Sequence, residues 1–92
     1  SHQIRFRGEE VELTNREFGL ACYMFQNPGK LLSRTHLLEK LWGLNANVDT
    51  RTIDTHVSRI RRKLSIMPAN GWEIIPVYGF GYRIEKIEIP VT

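Results

Sequence analysis

Residues Val48 to Leu64 read VDTRTIDTHVSRIRRKL, and the way this stretch divides around a helix decides the fold. At about 100° per residue, Ile53, Val57, Ile60 and Leu64 fall in one narrow arc, as the core-facing side of an amphipathic helix must. The opposite arc holds Arg51, Thr55, Ser58 and Arg62, with Thr52 and Arg59 on one flank and Arg61 on the other. Every surface that turns away from the core is basic or a small hydroxyl. Asp49 or Thr50 can cap this helix, and Pro68 with Asn70-Gly71 marks its exit. Thr50 to Leu64 carries five cations against Asp54 alone, a net +4 in a chain whose total is +3. The rest of the molecule is therefore slightly acidic, and its positive charge is concentrated on one element. A solvated helix usually alternates signs at i±4, and here those carboxylates are missing, which points to an external polyanion.

Working outward, the helix is preceded by another. Ser33 can cap it, Leu37, Leu38, Leu41 and Trp42 form its apolar stripe, and Gly43 ends it. Leu44 to Val48 make the intervening loop. Further back, Thr14-Asn15-Arg16-Glu17 has the spacing of a capping box and starts the first helix, with Phe18, Ala21, Cys22 and Phe25 on one face and Asn27-Pro28-Gly29 as its stop. Gly19 inside that helix costs about 1 kcal/mol against alanine unless close packing needs it. Ile4 to Arg7 and Val11 to Leu13 alternate apolar and polar residues around Gly8-Glu9-Glu10, as a hairpin does. After the basic helix, Trp72 to Tyr78 and Tyr82 to Ile89 are two extended runs joined at Gly79-Phe80-Gly81. The predicted order is two strands, three helices and a hairpin, an α+β domain.

The 92 residues suffice for one domain with a modest core and not for two. The longest nearly apolar run, Gly19 to Phe25, is far short of a membrane span, and the chain begins without a charged-then-apolar leader. Cys22 is the only cysteine, so no internal disulfide forms; a buried structural thiol in a reducing, cytoplasmic setting is expected. His2, His36 and His56 are too scattered for a metal-ligand set, and no metal or other cofactor is expected. His56 lies near Asp54 and Ser58 in sequence, but residues two apart on a helix diverge by about 200° and cannot form a catalytic relay. No glycine-rich phosphate loop precedes a helix and no paired carboxylates share an apolar face, so nothing suggests an enzyme. Asp54, in the first turn of its helix, favours the helix dipole and can hold a neighbouring arginine in place.

Two helices, the second basic, followed by a hairpin form the layout of a winged helix-turn-helix, whose second helix enters the major groove. The hairpin VYGFGYR, Val77 to Arg83, would be the wing. Together "LTNREFGL", "NPGKLLSRTHLLEKLWG", "VDTRTIDTHVSRIRRKL" and "VYGFGYR" resemble the effector domain of OmpR/PhoB-type response regulators, bacterial two-component transcription factors, from about Val11 to Ile84. The resemblance implies sequence-specific binding of double-stranded DNA on repeated half-sites, as the output domain of a phosphorelay. It implies DNA-facing roles for Arg51, Thr52, Thr55, His56, Ser58, Arg59 and Arg61, and a phosphate-facing role for Trp42. The helical wheel adds Arg62, and Lys63 is expected near the DNA backbone. The resemblance also implies that Gly43 to Asp49 is the loop that can touch RNA polymerase, and that a receiver domain belongs to the same full-length chain. Residues 1–92 would then be a fragment, monomeric off DNA, with part of the N-terminal sheet left out. Family wings often carry a cation where Tyr78 stands and threonine where Pro76 stands, so either Tyr78 reaches phosphate or sugar through its hydroxyl, or the wing contributes less and Arg83 is structural or substitutes for the missing cation. Phe80 and Tyr82 are expected to pack within the hairpin. A rival reading, a winged helix that docks acidic protein surfaces, predicts no preference among duplexes.

Overall fold

The computed structural model describes residues 2–6 and 8–88. A hairpin of β1 (His2–Phe6) and β2 (Glu9–Leu13) leads into α1 (Asn15–Phe25), a short β3 (Leu32–Ser33), α2 (Arg34–Trp42) and α3 (Arg51–Lys63). A 3-10 turn at Pro68–Asn70 then precedes β4 (Trp72–Val77) and β5 (Gly81–Lys86). The winged helix fold expected from the sequence is present. The expected ends of two strands, Arg7 and Ile89, lie outside the described residues.

Thr14 caps α1 with both halves of the capping box: its hydroxyl accepts from the Glu17 amide at 3.2 Å, and Glu17 Oε1 accepts from the Thr14 amide at 3.0 Å. The buried side of α1 is Glu17, Leu20, Ala21 and Met24, turned by about one residue from the face the apolar pattern suggests. A pattern that scores glutamate as an outward residue cannot find this face. Glu17 goes inside because Lys63 Nζ reaches it at 2.7 Å from the last turn of α3. Phe18, Cys22 and Phe25 are consequently only half-buried, and with Ile4, Leu13 and Leu64 they line a shallow apolar hollow. The Cys22 thiol is free and half-exposed instead of buried.

Ser33 caps α2 by accepting from the His36 amide at 3.0 Å, and Gly43 ends it at φ +101°. Leu37 and Leu38 are buried, while Leu41 and Trp42 stay at the edge of the core. In α3, Ile53, Val57 and Ile60 are essentially inaccessible, each contributing roughly 1.5–3 kcal/mol by apolar burial. The helix stops at Lys63, before the predicted exit. Ser65 takes a left-handed φ of +50°, and the Ile66 amide donates back to Arg61 O, so the break is made by the backbone ahead of Pro68.

The C-terminal sheet has the order β3-β5-β4, antiparallel throughout. Its register pairs Ile74 with Ile84 and Val77 with Gly81. The two residues of β3 carry too little pattern to be read from sequence. They pair with Tyr82 and Gly81, and a Cβ on Gly81 would lie 1.9 Å from Leu32 O. Gly81 is therefore glycine for close backbone approach, and Gly79, at φ +73°, is glycine for the turn. The Phe80 amide closes that turn onto Val77 O at 3.0 Å.

Candidate nucleic-acid interface

The wheel around α3 becomes a set of neighbours in three dimensions. The Ile53-Val57-Ile60 face is buried in the common core, with α3 packed against α1, α2 and β2. On one flank Arg61 Nη2 donates to Ile74 O of β4 at 2.9 Å. On the same flank Asp54 accepts from Arg34 Nε at 2.8 Å and from the Tyr82 hydroxyl. On the other flank His56 Nδ1–H donates to Thr52 O at 2.8 Å, and its ring meets Trp42 edge to face with centroids 4.9 Å apart. Between these flanks Arg51, Thr55, Ser58, Arg59 and Arg62 form an exposed strip. Asp54 with the last four of these borders an open concavity.

The arginines on that strip are not equally engaged. Arg51 forms a two-point pair with Asp49, whose carboxylate also caps the helix by accepting from the Arg51 amide at 2.8 Å. The hydrogen bonds from Arg51 hold the Asp49 carboxyl below its ordinary range. This pair is fully in solvent, so it can yield to a phosphate or base. Arg59 and Arg62 have no ion-pair partner among the described residues. Thr55 Oγ1 donates to Arg51 O at 3.3 Å, which folds its hydroxyl against the helix and keeps the strip low.

Two residues of the predicted contact set have partners within the fold. Arg61 is half-buried with its guanidinium on β4, so it braces the hairpin against α3. Lys63, expected near the DNA backbone, is committed to Glu17. Burial alone would raise the Glu17 pKa; the Lys63 hydrogen bond and the Thr14 amide outweigh it and hold the carboxyl below its ordinary value. Trp42, Thr52 and His56 stand together on the flank, half-buried. Tyr78 is fully exposed at the wing tip. Phe80, in the turn closed onto Val77 O, is also exposed instead of packed within the hairpin as expected.

Asp54 does hold an arginine, but one from another element. Arg34, at the start of α2, pairs with it, stacks over the Tyr82 ring at 5.3 Å, and has its pKa raised first by the Asp54 hydrogen bond. Burial and then the Asp54 hydrogen bond push the Tyr82 hydroxyl upward. This junction fixes α2, α3 and the wing relative to one another. Its signal in the sequence was partial, since nothing local links residues 34, 54 and 82. Among the described residues no group of three or more His, Cys, Asp or Glu is arranged to hold a metal ion, and no helix is long and apolar enough to cross a membrane.

The sequence matches the family described as "Transcriptional regulatory protein, C terminal" over residues 8–84. Sensory transduction protein RegX3 of Mycolicibacterium smegmatis is 38% identical over 84 residues, which take in 91% of this chain and 37% of that protein. This chain thus spans little more than a third of that relative's length. The DNA-binding domain of Bacillus subtilis CssR superimposes with a TM-score of 0.74 at 28% identity, covering 90% of this chain and 99% of the other. The Klebsiella pneumoniae RstA DNA-binding domain, solved in complex with the RstA box, gives 0.72 at 28% identity over 90% of this chain and 82% of that one.

Proposed function

The chain belongs to the family of transcriptional regulatory protein C-terminal domains, and from that premise we propose that it binds double-stranded DNA sequence-specifically as the output domain of a two-component response regulator. The observation that carries this reading is the exposed strip on α3, whose Arg59 and Arg62 lack ionic partners within the described residues. A planar guanidinium can meet guanine or phosphate at two points, and the small Thr55 and Ser58 let the helix approach a groove closely.

In this mechanism α3 enters the major groove with Arg51, Thr55, Ser58 and Arg59 nearest base edges. Arg62, Thr52, His56 and Trp42 lie nearer phosphates, and Tyr78 reaches sugar or phosphate from the wing. Phosphate contacts supply most of the affinity and base contacts the choice of site. Arg61 supports the wing in place of a direct contact. In the full-length protein a receiver domain brings two copies onto repeated half-sites, in the cytoplasm, where this domain alone is monomeric off DNA. The loop Gly43 to Asp49, with Leu44 largely exposed, is the surface proposed for RNA polymerase.

Selection from a randomised duplex pool at moderate salt tests the reading. Enrichment of a defined motif supports it. Steeply salt-dependent binding with no enrichment contradicts it and favours an electrostatic surface for acidic proteins.

A further inference from the structure

Arg16 is the only cation of α1 and lies exposed in its first turn. Folded, its guanidinium sits 4.8 Å from the centre of the Trp42 ring and donates through Nη1 to Leu41 O. Leu41 belongs to the last turn of α2, where carbonyls have no donor within the helix, so this bond closes an orphan acceptor. Trp42 in turn meets the His56 edge on α3. Arg16, Trp42 and His56 thus form a continuous ledge along the flank of α3 opposite the wing. No carboxylate pairs with Arg16 among the described residues, and a guanidinium has five N–H donors, of which Leu41 uses one.

A helix in the major groove, about 12 Å wide, has a phosphate strand on each side. The wing lies toward one strand, and the ledge toward the other. We propose that Arg16 contacts a DNA phosphate on the ledge side while holding Trp42 in place, so that the interface extends from α3 onto the first turn of α1. This rests on the DNA-binding reading above and adds to it a cation from a third element.

The test is the salt dependence of Arg16→Ala on the selected site and on a scrambled duplex, with wild type beside it. The slope of log K against log[salt] is expected to fall in magnitude by about 0.9, the value for one phosphate, with affinity lowered by a similar factor on both duplexes. A methylphosphonate scan is expected to find one phosphate whose neutralisation weakens the wild type and leaves Arg16→Ala unaffected. Arg16→Gln, which keeps a donor for Leu41 O and removes the charge, gives the same readout should the alanine variant unfold. An unchanged slope overturns the inference and leaves Arg16 as a strut for α2. A wild type with no salt-dependent duplex binding overturns the DNA reading itself.

Discussion

Glu17 closes the capping box of α1 and accepts the Lys63 ammonium at 2.7 Å while almost fully buried. One carboxylate thereby joins the start of the first helix to the end of the third. Truncating Lys63 to alanine leaves that charge buried without its counterion, and chemical denaturation should show a loss of about 3 kcal/mol, the low end for a broken buried pair because Lys63 is partly exposed. Because the folded-state pKa is lowered, the contribution is complete above the ordinary value of 4.5 and disappears as pH falls through the depressed folded value. Glu17→Gln should therefore flatten the acid limb of the stability profile below about pH 4.5, as followed by thermal melts. Residue-scale reading from sequence succeeded for Thr14, Ser33 and Gly43, whose partners lie within four positions. It did not find the partners of Lys63 and Arg61, because Glu17 and Ile74 O lie far off in sequence and are supplied only by packing.

The elements were legible where a period or a turn residue announced them. The spacing of Ile53, Val57 and Ile60 identified α3 and its outward strip, and Gly79 identified the wing turn. Neither β3 nor the face of α1 was legible, because a two-residue strand has no period and a buried glutamate breaks the apolar one. Two glycines separate these cases. A Cβ on Gly19 would meet only Leu41 Cδ2, at an ordinary 3.5 Å, so close packing does not require glycine there. Gly19→Ala should raise stability by up to about 1 kcal/mol, measured by urea titration. At Gly81 the same added methyl collides with the backbone of Leu32 and Ser33. Gly81→Ala should lose about 3 kcal/mol or more and, by amide exchange, release β3 from β5.

At the scale of the molecule, α3 is held by α1 through Glu17, by α2 through the Trp42 and Arg34 contacts, and by the hairpin through Tyr82 and Ile74 O. These supports leave one strip uncovered. A single strip of this size offers few phosphate contacts, so the isolated domain should bind one half-site weakly. Two half-sites in tandem should bind two domains independently unless the copies touch. Gel-shift titrations on single and tandem sites separate these cases: equal affinity per site shows that the domains bind independently and removes support for cooperative assembly, and tighter tandem binding shows that two copies of this domain assist one another.

In the proposed mechanism α3 reads bases through Arg59, which has no ion-pair partner among the described residues. The most direct measurement compares wild type and Arg59→Ala on the selected duplex and on all single-base variants of it. Arg59→Ala should lose about 1–3 kcal/mol on the selected site and no longer discriminate at one position, while the remaining positions keep their ranking. A uniform loss on every duplex, with discrimination intact, would contradict this mechanism and leave Arg59 as a phosphate contact only.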